Sequence, residues 1–138
     1  MDWDRKELIR RALEAQPKAY APYSGFYVGA AVLDDSGEIH TGVNVENASY
    51  PAGICAERNA VFHAVGLGAR RIRAIAVVGG KQGENLAYCC PCGICRQVMR
   101  EFCDPHEMRV LMARTPEDWR ERTLEELLPE SFGPESLA

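Results

Sequence analysis

Between residues 3 and 16 the apolar side chains Leu8, Ile9, Ala12, Leu13 and Ala15 recur at the spacing of one helix face, and Pro17 stands where such a helix should stop. The period then changes to two. Phe26, Val28, Ala30 and Val32 alternate with smaller residues, Asp34-Asp35-Ser36-Gly37 supplies a turn, and Ile39, Thr41, Val43 and Val45 alternate again, which predicts a β-hairpin. Residues 55–67 return to helical spacing, with Ala60, Val61, Ala64 and Val65 inward and Gly66 and Gly68 as the stop. Residues 72–78 form a nearly unbroken apolar run, the mark of a strand covered on both faces. A loop with Gly79, Gly80 and Gly83 leads to Pro91, which suits the first turn of a third helix over 92–102. A short strand over 108–113 follows, and the tail from Thr115 holds a strand around Trp119 and a short helix over 123–128.

The order α-β-β-α-β-α-β predicts an α/β fold, with parallel central strands between helical layers. No repeat, low-complexity segment or linker interrupts it. A chain of 138 residues is enough for one core, so the expected organisation is a single domain over 1–138.

Composition narrows the class by exclusion. With 46% hydrophobic and 26% charged residues, 12 Gly and 8 Pro, the chain is neither collagen-like nor disordered. No apolar run approaches the ~18 residues that span a bilayer, so no membrane partner is expected. The net charge is −4, and the largest basic cluster is Arg70-Arg71 with Arg73, which argues against nucleic acid and in favour of a small ligand that is neutral or cationic.

The six cysteines are the anomaly. The start Met1-Asp2-Trp3-Asp4-Arg5-Lys6-Glu7 carries no apolar signal segment, so a cytoplasmic location with reduced thiols is expected, and metal binding or catalysis leads over a disulfide framework. Cys92 and Cys95, three apart at a helix start, place both sulfurs on one side, where the unpaired N–H groups favour thiolates. Cys55 opens the second helix. It shares a pocket with Glu57 only from the non-helical entry position, because residues two apart inside a helix diverge. Zinc on Cys55, Cys92 and Cys95 leaves a fourth position open, as in a catalytic site. A closed structural site needs a fourth ligand from Cys89, Cys90, Cys103, His40, His63 or His106. Cys90 is the main competitor, His63 reads as a helix-face residue, and His40 and His106 read as loop or strand-end residues. The open site is favoured and the closed one stays in play.

Taken together, Cys55-Ala56-Glu57-Arg58 and Pro91-Cys92-Gly93-Ile94-Cys95-Arg96-Gln97 resemble the zinc signature of the cytidine deaminase family in its small three-cysteine form. The resemblance extends through Ala21-Pro22-Tyr23-Ser24, Phe26, Val28-Gly29-Ala30-Ala31, Gly42 and Asn44-Val45-Glu46-Asn47-Ala48-Ser49-Tyr50 to Leu127-Leu128-Pro129 and Phe132, nearly the whole chain in order. Cys90, where serine is common, and Ile94, where a smaller residue is usual, depart from the pattern.

The resemblance implies a three-layer α-β-α fold around a mixed sheet of about five strands. It also implies that Zn²⁺ activates a water for attack on C4 of cytosine, with release of ammonia. Glu57 would shuttle the protons, which requires a carboxylate near the metal but not bound to it. Three thiolates make the centre net negative, so something must withdraw charge. Arg58, one turn from Cys55, is the candidate through hydrogen bonds to sulfur, with Arg96 sharing the role.

For the substrate, the resemblance assigns Asn44 and Glu46, on one side of the second strand, to the ribose 3′-hydroxyl. It assigns Phe26 to the ring, although an aromatic starting a strand is usually core, and the Ala56 backbone to the pyrimidine edge. It further implies a homotetramer in which Tyr50 and Phe132 reach a neighbouring pocket, Phe132 to stack on the base. The expected substrates are cytidine and 2′-deoxycytidine rather than dCMP, in pyrimidine salvage. The competing readings are a deaminase of modified nucleosides such as blasticidin S and, from another class, a zinc-stabilised binding module.

Overall fold

The computed structural model describes residues 3–138; Met1 and Asp2 of the stretch read as lacking an apolar segment lie outside them. Helix α1 runs Arg5–Ala15 and is capped by Asp4, whose side chain accepts from the Glu7 N–H. Its face of Leu8, Ile9, Ala12 and Ala15 is buried as the spacing predicts. The α-helix stops at Ala15, shortly before Pro17 as expected, and Pro17 sits early in a short 3-10 segment over Gln16–Lys18, a position that needs no N–H. Strands β1 (Phe26–Asp34) and β2 (Ile39–Val43) form the expected antiparallel hairpin. Helix α2 (Ala56–Gly66) and strand β3 (Ile72–Lys81) follow, then helix α3 (Gly93–Arg100) and strand β4 (Arg109–Thr115). The tail adds strand β5 (Asp118–Thr123) and helix α4 (Leu124–Leu127), which starts with a reciprocal Thr123/Glu126 capping box.

The sheet has five strands in the order β2-β1-β3-β4-β5. Only β3 and β4 pair in parallel; β1 is antiparallel to both its neighbours, because the hairpin sends β2 to the sheet edge and leaves β1 beside β3. Parallel pairing is therefore confined to the β3-α3-β4 crossover, narrower than the expectation for the central strands.

Two apolar layers hold the sheet. Ala31, Leu33, Ala74, Ala76, Val78, Leu111 and Ala113 pack under α1. The alternate residues of the same strands, Ala30, Val32, Ile75, Val77 and Val110, pack under α2 and α3 with Ala60, Val61 and Met99. Burial on both faces accounts for the unbroken apolar run of β3. Gly42 sets how close α2 lies to β2: a Cβ there would meet the Ala60 backbone nitrogen at 2.4 Å. That approach carries the start of α2 to the end of β2. Both α2 and α3 begin just beyond the carboxyl ends of strands, β2 and β3, and their N-termini meet at one end of the sheet, the usual place for a ligand in such folds.

Candidate active site

Cys55 is the residue before α2, with extended backbone (φ −75°, ψ 153°), which is the non-helical entry position the shared pocket requires. Cys92 holds the same position before α3 (φ −69°, ψ 168°), so that helix starts one residue later than expected and Pro91 lies outside it. Cys95 falls in the first turn of α3 and is fully buried. Two helix N-termini thus point their unpaired N–H groups at one cluster of sulfurs.

The Sγ of Cys92 lies 3.5 Å from that of Cys95 and 4.0 Å from that of Cys55. Zinc–sulfur bonds of about 2.3 Å in tetrahedral geometry put neighbouring sulfurs about 3.8 Å apart, so the three thiols already have the spacing of one zinc ion's ligands. Among the described residues, this trio is the one group of histidine, cysteine and acidic side chains close enough to hold a metal.

None of the other candidate ligands lies within this close group. Cys90 Sγ accepts from Arg96 Nη2 at 3.0 Å, His40 pairs with Asp34 at 2.8 Å in a buried contact, and His106 lies on the surface near Glu125. His63 is on the exposed face of α2 against the Thr41 carbonyl. Cys103 is buried in the core, and burial pushes its thiol up to about 12. None of the six cysteines is in a disulfide.

Arg58 lies against the cluster. Its Nη2 donates to Cys55 Sγ at 3.5 Å, while its buried Nε has no hydrogen-bond partner. The Cys55 thiol is pushed down to about 5, first by its hydrogen bond with Cys95 and then, against the cost of burial, by Arg58. The same contact pushes the Cys95 thiol up, since the pair shares one negative charge. A cation on a cluster of thiolates offsets the excess charge that three such ligands bring. Arg58→Ala is expected to fold but to bind zinc about 10–100-fold more weakly, as loss of an outer-sphere partner typically does. Metal content after dialysis against a graded chelator checks this, with wild-type retention and kinetics as the contrary result.

Arg96, expected to share that role, makes other contacts. Its guanidinium donates to the Pro91 carbonyl at 2.7 Å, the Leu127 carbonyl at 2.5 Å and Cys90, so it braces the loop before α3 against the tail and makes no bond to a ligand sulfur.

Glu57, in the first turn of α2, is 5% exposed. Burial pushes its carboxyl up to about 7, its own backbone N–H and Arg58 hold it down, and the Cys55 charge pushes it further up. A carboxyl near neutrality beside a metal site is suited to both taking and giving a proton.

A cavity of about 530 Å³ opens over this cluster, lined by Cys55, Ala56, Glu57, Asn44, Glu46 and Tyr50 among others. Regular β2 pairing ends at Val43, yet Asn44 and Glu46 still share a side, because single bridges of Val45 to Tyr20 and Ile54 keep the backbone extended. The Asn44 side chain accepts from the Val28 N–H at 2.8 Å and donates to the Phe26 carbonyl at 2.9 Å. Glu46 accepts from the Tyr23 and Ser24 N–H groups and from the Ser24 hydroxyl, which hold its carboxyl below its usual range. Ser24 is thus a functional neighbour without a role in the sequence reading. Its signal was the turn Pro22-Tyr23-Ser24-Gly25, whose glycine at φ 68° leaves two N–H groups free for a carboxylate.

Tyr50 is 77% exposed at the rim, its ring 6.2 Å from that of Tyr23. Phe26 and Phe132 do not line the cavity. The Phe26 ring packs half-buried on the core beside Gly79, and Phe132 stands 60% exposed on the tail. Cys89 and Cys90 complete one wall.

The chain is similar throughout to proteins of one kind. The profile described as the cytidine and deoxycytidylate deaminase zinc-binding region matches residues 1–112. A cytidine deaminase of Halalkalibacterium halodurans is 45% identical over 134 residues, 97% of this chain and 98% of that protein. One from Sporosarcina psychrophila is 43% identical over 98% of this chain and 96% of that protein. Among solved structures, the cytidine deaminase of Burkholderia pseudomallei superposes with a TM-score of 0.81 at 45% identity, covering 91% of this chain and 97% of that one. That of Mycobacterium tuberculosis gives 0.78 at 42%, covering 96% and 99%.

Proposed function

Because this chain belongs to the cytidine and deoxycytidylate deaminase family, we propose that the site described above carries out the family's hydrolysis on both cytidine and 2′-deoxycytidine. The activity is zinc-dependent hydrolytic deamination of cytidine, in which water and cytidine give uridine and ammonia. The observation that carries the residue assignments is the three-thiol cluster with a buried carboxyl beside it at the floor of one cavity.

Cys55, Cys92 and Cys95 hold the zinc, which when bound supplies the Lewis acidity that makes water a nucleophile at neutral pH. Glu57 is the proton carrier. It takes one proton from the attacking water to N3 and the other to the exocyclic amine on C4, so both water protons are used and ammonia leaves. Burial of Glu57 keeps the carboxyl from being solvated away from this task. Arg58 offsets the charge of the thiolates. The Ala56 backbone reads the pyrimidine edge.

Asn44 and Glu46 take the 3′-hydroxyl, the amide with its remaining N–H and the carboxylate with lone pairs left by Ser24 and Tyr23. Both are pre-set by bonds to backbone, which lowers the ordering cost of binding. Phe26 contacts the ring after a shift from its place on the core. The exposed Tyr50 and Phe132 reach into a neighbouring copy's pocket in a homotetramer. The setting is the cytoplasm and the purpose pyrimidine salvage. The partner is a nucleoside. No helix among the described residues is long and apolar enough to cross a bilayer. A closed structural-zinc module is not favoured because Cys90, its main fourth ligand, lies outside the close group of three sulfurs, and a blasticidin-type substrate is not favoured because the relatives described above are cytidine deaminases.

Among the described residues, no basic side chain other than Arg58 lines the cavity, and Arg58 faces sulfur. The zinc-loaded enzyme is therefore expected to turn over deoxycytidine with a higher kcat/KM than dCMP. Faster turnover of dCMP would overturn the assignment.

A further inference from the structure

Two side chains of α3, Gln97 and Arg100, reach across to the tail that follows α4, and their targets surround Phe132. Arg100 is 8% exposed, an unusual burial for a guanidinium and one that demands partners. It has them on both sides of Phe132: Nε donates to Ser131 Oγ at 2.8 Å and Nη2 to the Glu135 carboxylate at 2.9 Å. Between these, Gly133 lies directly against the guanidinium. A Cβ at Gly133 would sit 2.3 Å from Cζ and 2.5 Å and 2.6 Å from the two terminal nitrogens. The backbone there is extended (φ −147°), so any residue adopts it and only space excludes a side chain. Gln97 Nε2 then donates to the carbonyl of Phe132 itself at 2.9 Å.

The result is an aromatic residue bonded at its own carbonyl and flanked by a serine held through its hydroxyl and a glycine packed on the guanidinium, while its ring is 60% exposed and outside its own chain's cavity. Burying an arginine to fix three residues of tail makes sense if the fixed residue has work to do away from this chain. We infer that Arg100, together with Gly133 and Gln97, is a positioning clamp that sets the Phe132 ring for the base in a neighbouring copy's site. The inference rests on the assignment of Phe132 to that site. Arg100 touches no substrate; it acts through Phe132.

The test is steady-state kinetics with cytidine on the zinc-loaded full chain, comparing Phe132→Ala, Gly133→Ala, Gln97→Ala, Arg100→Met and the double variant Arg100→Met/Gly133→Ala. Loss of a base–aromatic stack should raise KM about tenfold in Phe132→Ala. Gly133→Ala and Arg100→Met should raise KM by at least about threefold, and Gln97→Ala less, with kcat, zinc content and assembly unchanged. In the double variant the methyl group has room, so it should be no worse than Arg100→Met alone, the non-additivity of groups in contact. If Phe132→Ala raises KM while the clamp variants match wild type, the clamp is wrong and the Phe132 assignment stands. If Phe132→Ala itself matches wild type, the assignment fails and takes the clamp with it. Loss of zinc, kcat or assembly in Gly133→Ala would mark the contact as a general brace and also overturn the inference. Should Arg100→Met not fold, Gly133→Ala and Gln97→Ala decide the matter.

Discussion

Glu57→Gln is expected to lower kcat for cytidine by about 10²–10⁴-fold while leaving one zinc per chain, the range associated with removing a positioned general acid–base. The amide has the carboxylate's size but neither accepts nor returns a proton at neutral pH. The thiol cluster is untouched, so metal content separates a chemical from a structural failure. Stability should change in the opposite sense. The folded-state pKa of Glu57 is raised to about 7 from 4.5, so the folded metal-free protein binds a proton that the unfolded chain releases. The stability tied to that proton is complete below pH 4.5 and is lost as pH rises through 7. Metal-free Glu57→Gln should therefore be more stable than metal-free wild type at pH 8, by ~3 kcal/mol at most, with the gap closing near pH 4. Denaturant melts at the two pH values check it. Undiminished kcat would remove Glu57 from the mechanism.

Cys95→Ser should cost still more, taking deamination to background. Cys95 is fully buried and its sulfur lies 3.5 Å from that of Cys92, so the substitution removes one ligand from inside the cluster. A serine hydroxyl does not ionise to a ligand near neutral pH, and two thiolates do not complete a three-ligand site. The fold should survive with a loss of about 1–3 kcal/mol, the usual cost of a poorly satisfied buried hydroxyl. Added zinc should restore chelator-treated wild type and leave Cys95→Ser inactive. A Cys95→Ser protein that keeps stoichiometric zinc would instead point to a ligand outside the trio.

The elements were legible because their signals are local. Leu8, Ile9 and Ala12 at helical spacing, and the apolar run of β3, need no knowledge of their partners, and both lie where the pattern puts them. The sheet's pairing was less so. Nothing local says that β1 sits between β2 and β3, and the assumption of parallel central strands held only for β3 and β4. The start of α3 slipped by one residue because Cys92, and not Pro91, takes the extended entry conformation.

The site divides along the same line. Cys55, Glu57, Arg58, Cys92 and Cys95 stand in two short motifs at helix starts, where helical geometry alone brings Cys92 and Cys95 to one side, while only the fold brings Cys55 to them. What joins the motifs to the rest is non-local. The Glu46 bonds to Ser24, the Arg96 bond to Leu127 and the Arg100 bonds to Ser131 and Glu135 link residues far apart in the chain, and their partners could not be read from spacing. Arg96 shows the same: it was expected to bond a ligand sulfur, and its bonds run to the Pro91 and Leu127 carbonyls and to Cys90, which lies outside the trio.

The most direct measurement is the ultraviolet absorbance change of cytidine incubated with the zinc-loaded protein, with ammonia assayed in the same sample. Conversion to uridine with one ammonia per nucleoside, abolished by chelation and restored by zinc, is the predicted result. Cytidine left unchanged by protein carrying a full complement of zinc on Cys55, Cys92 and Cys95 would contradict it.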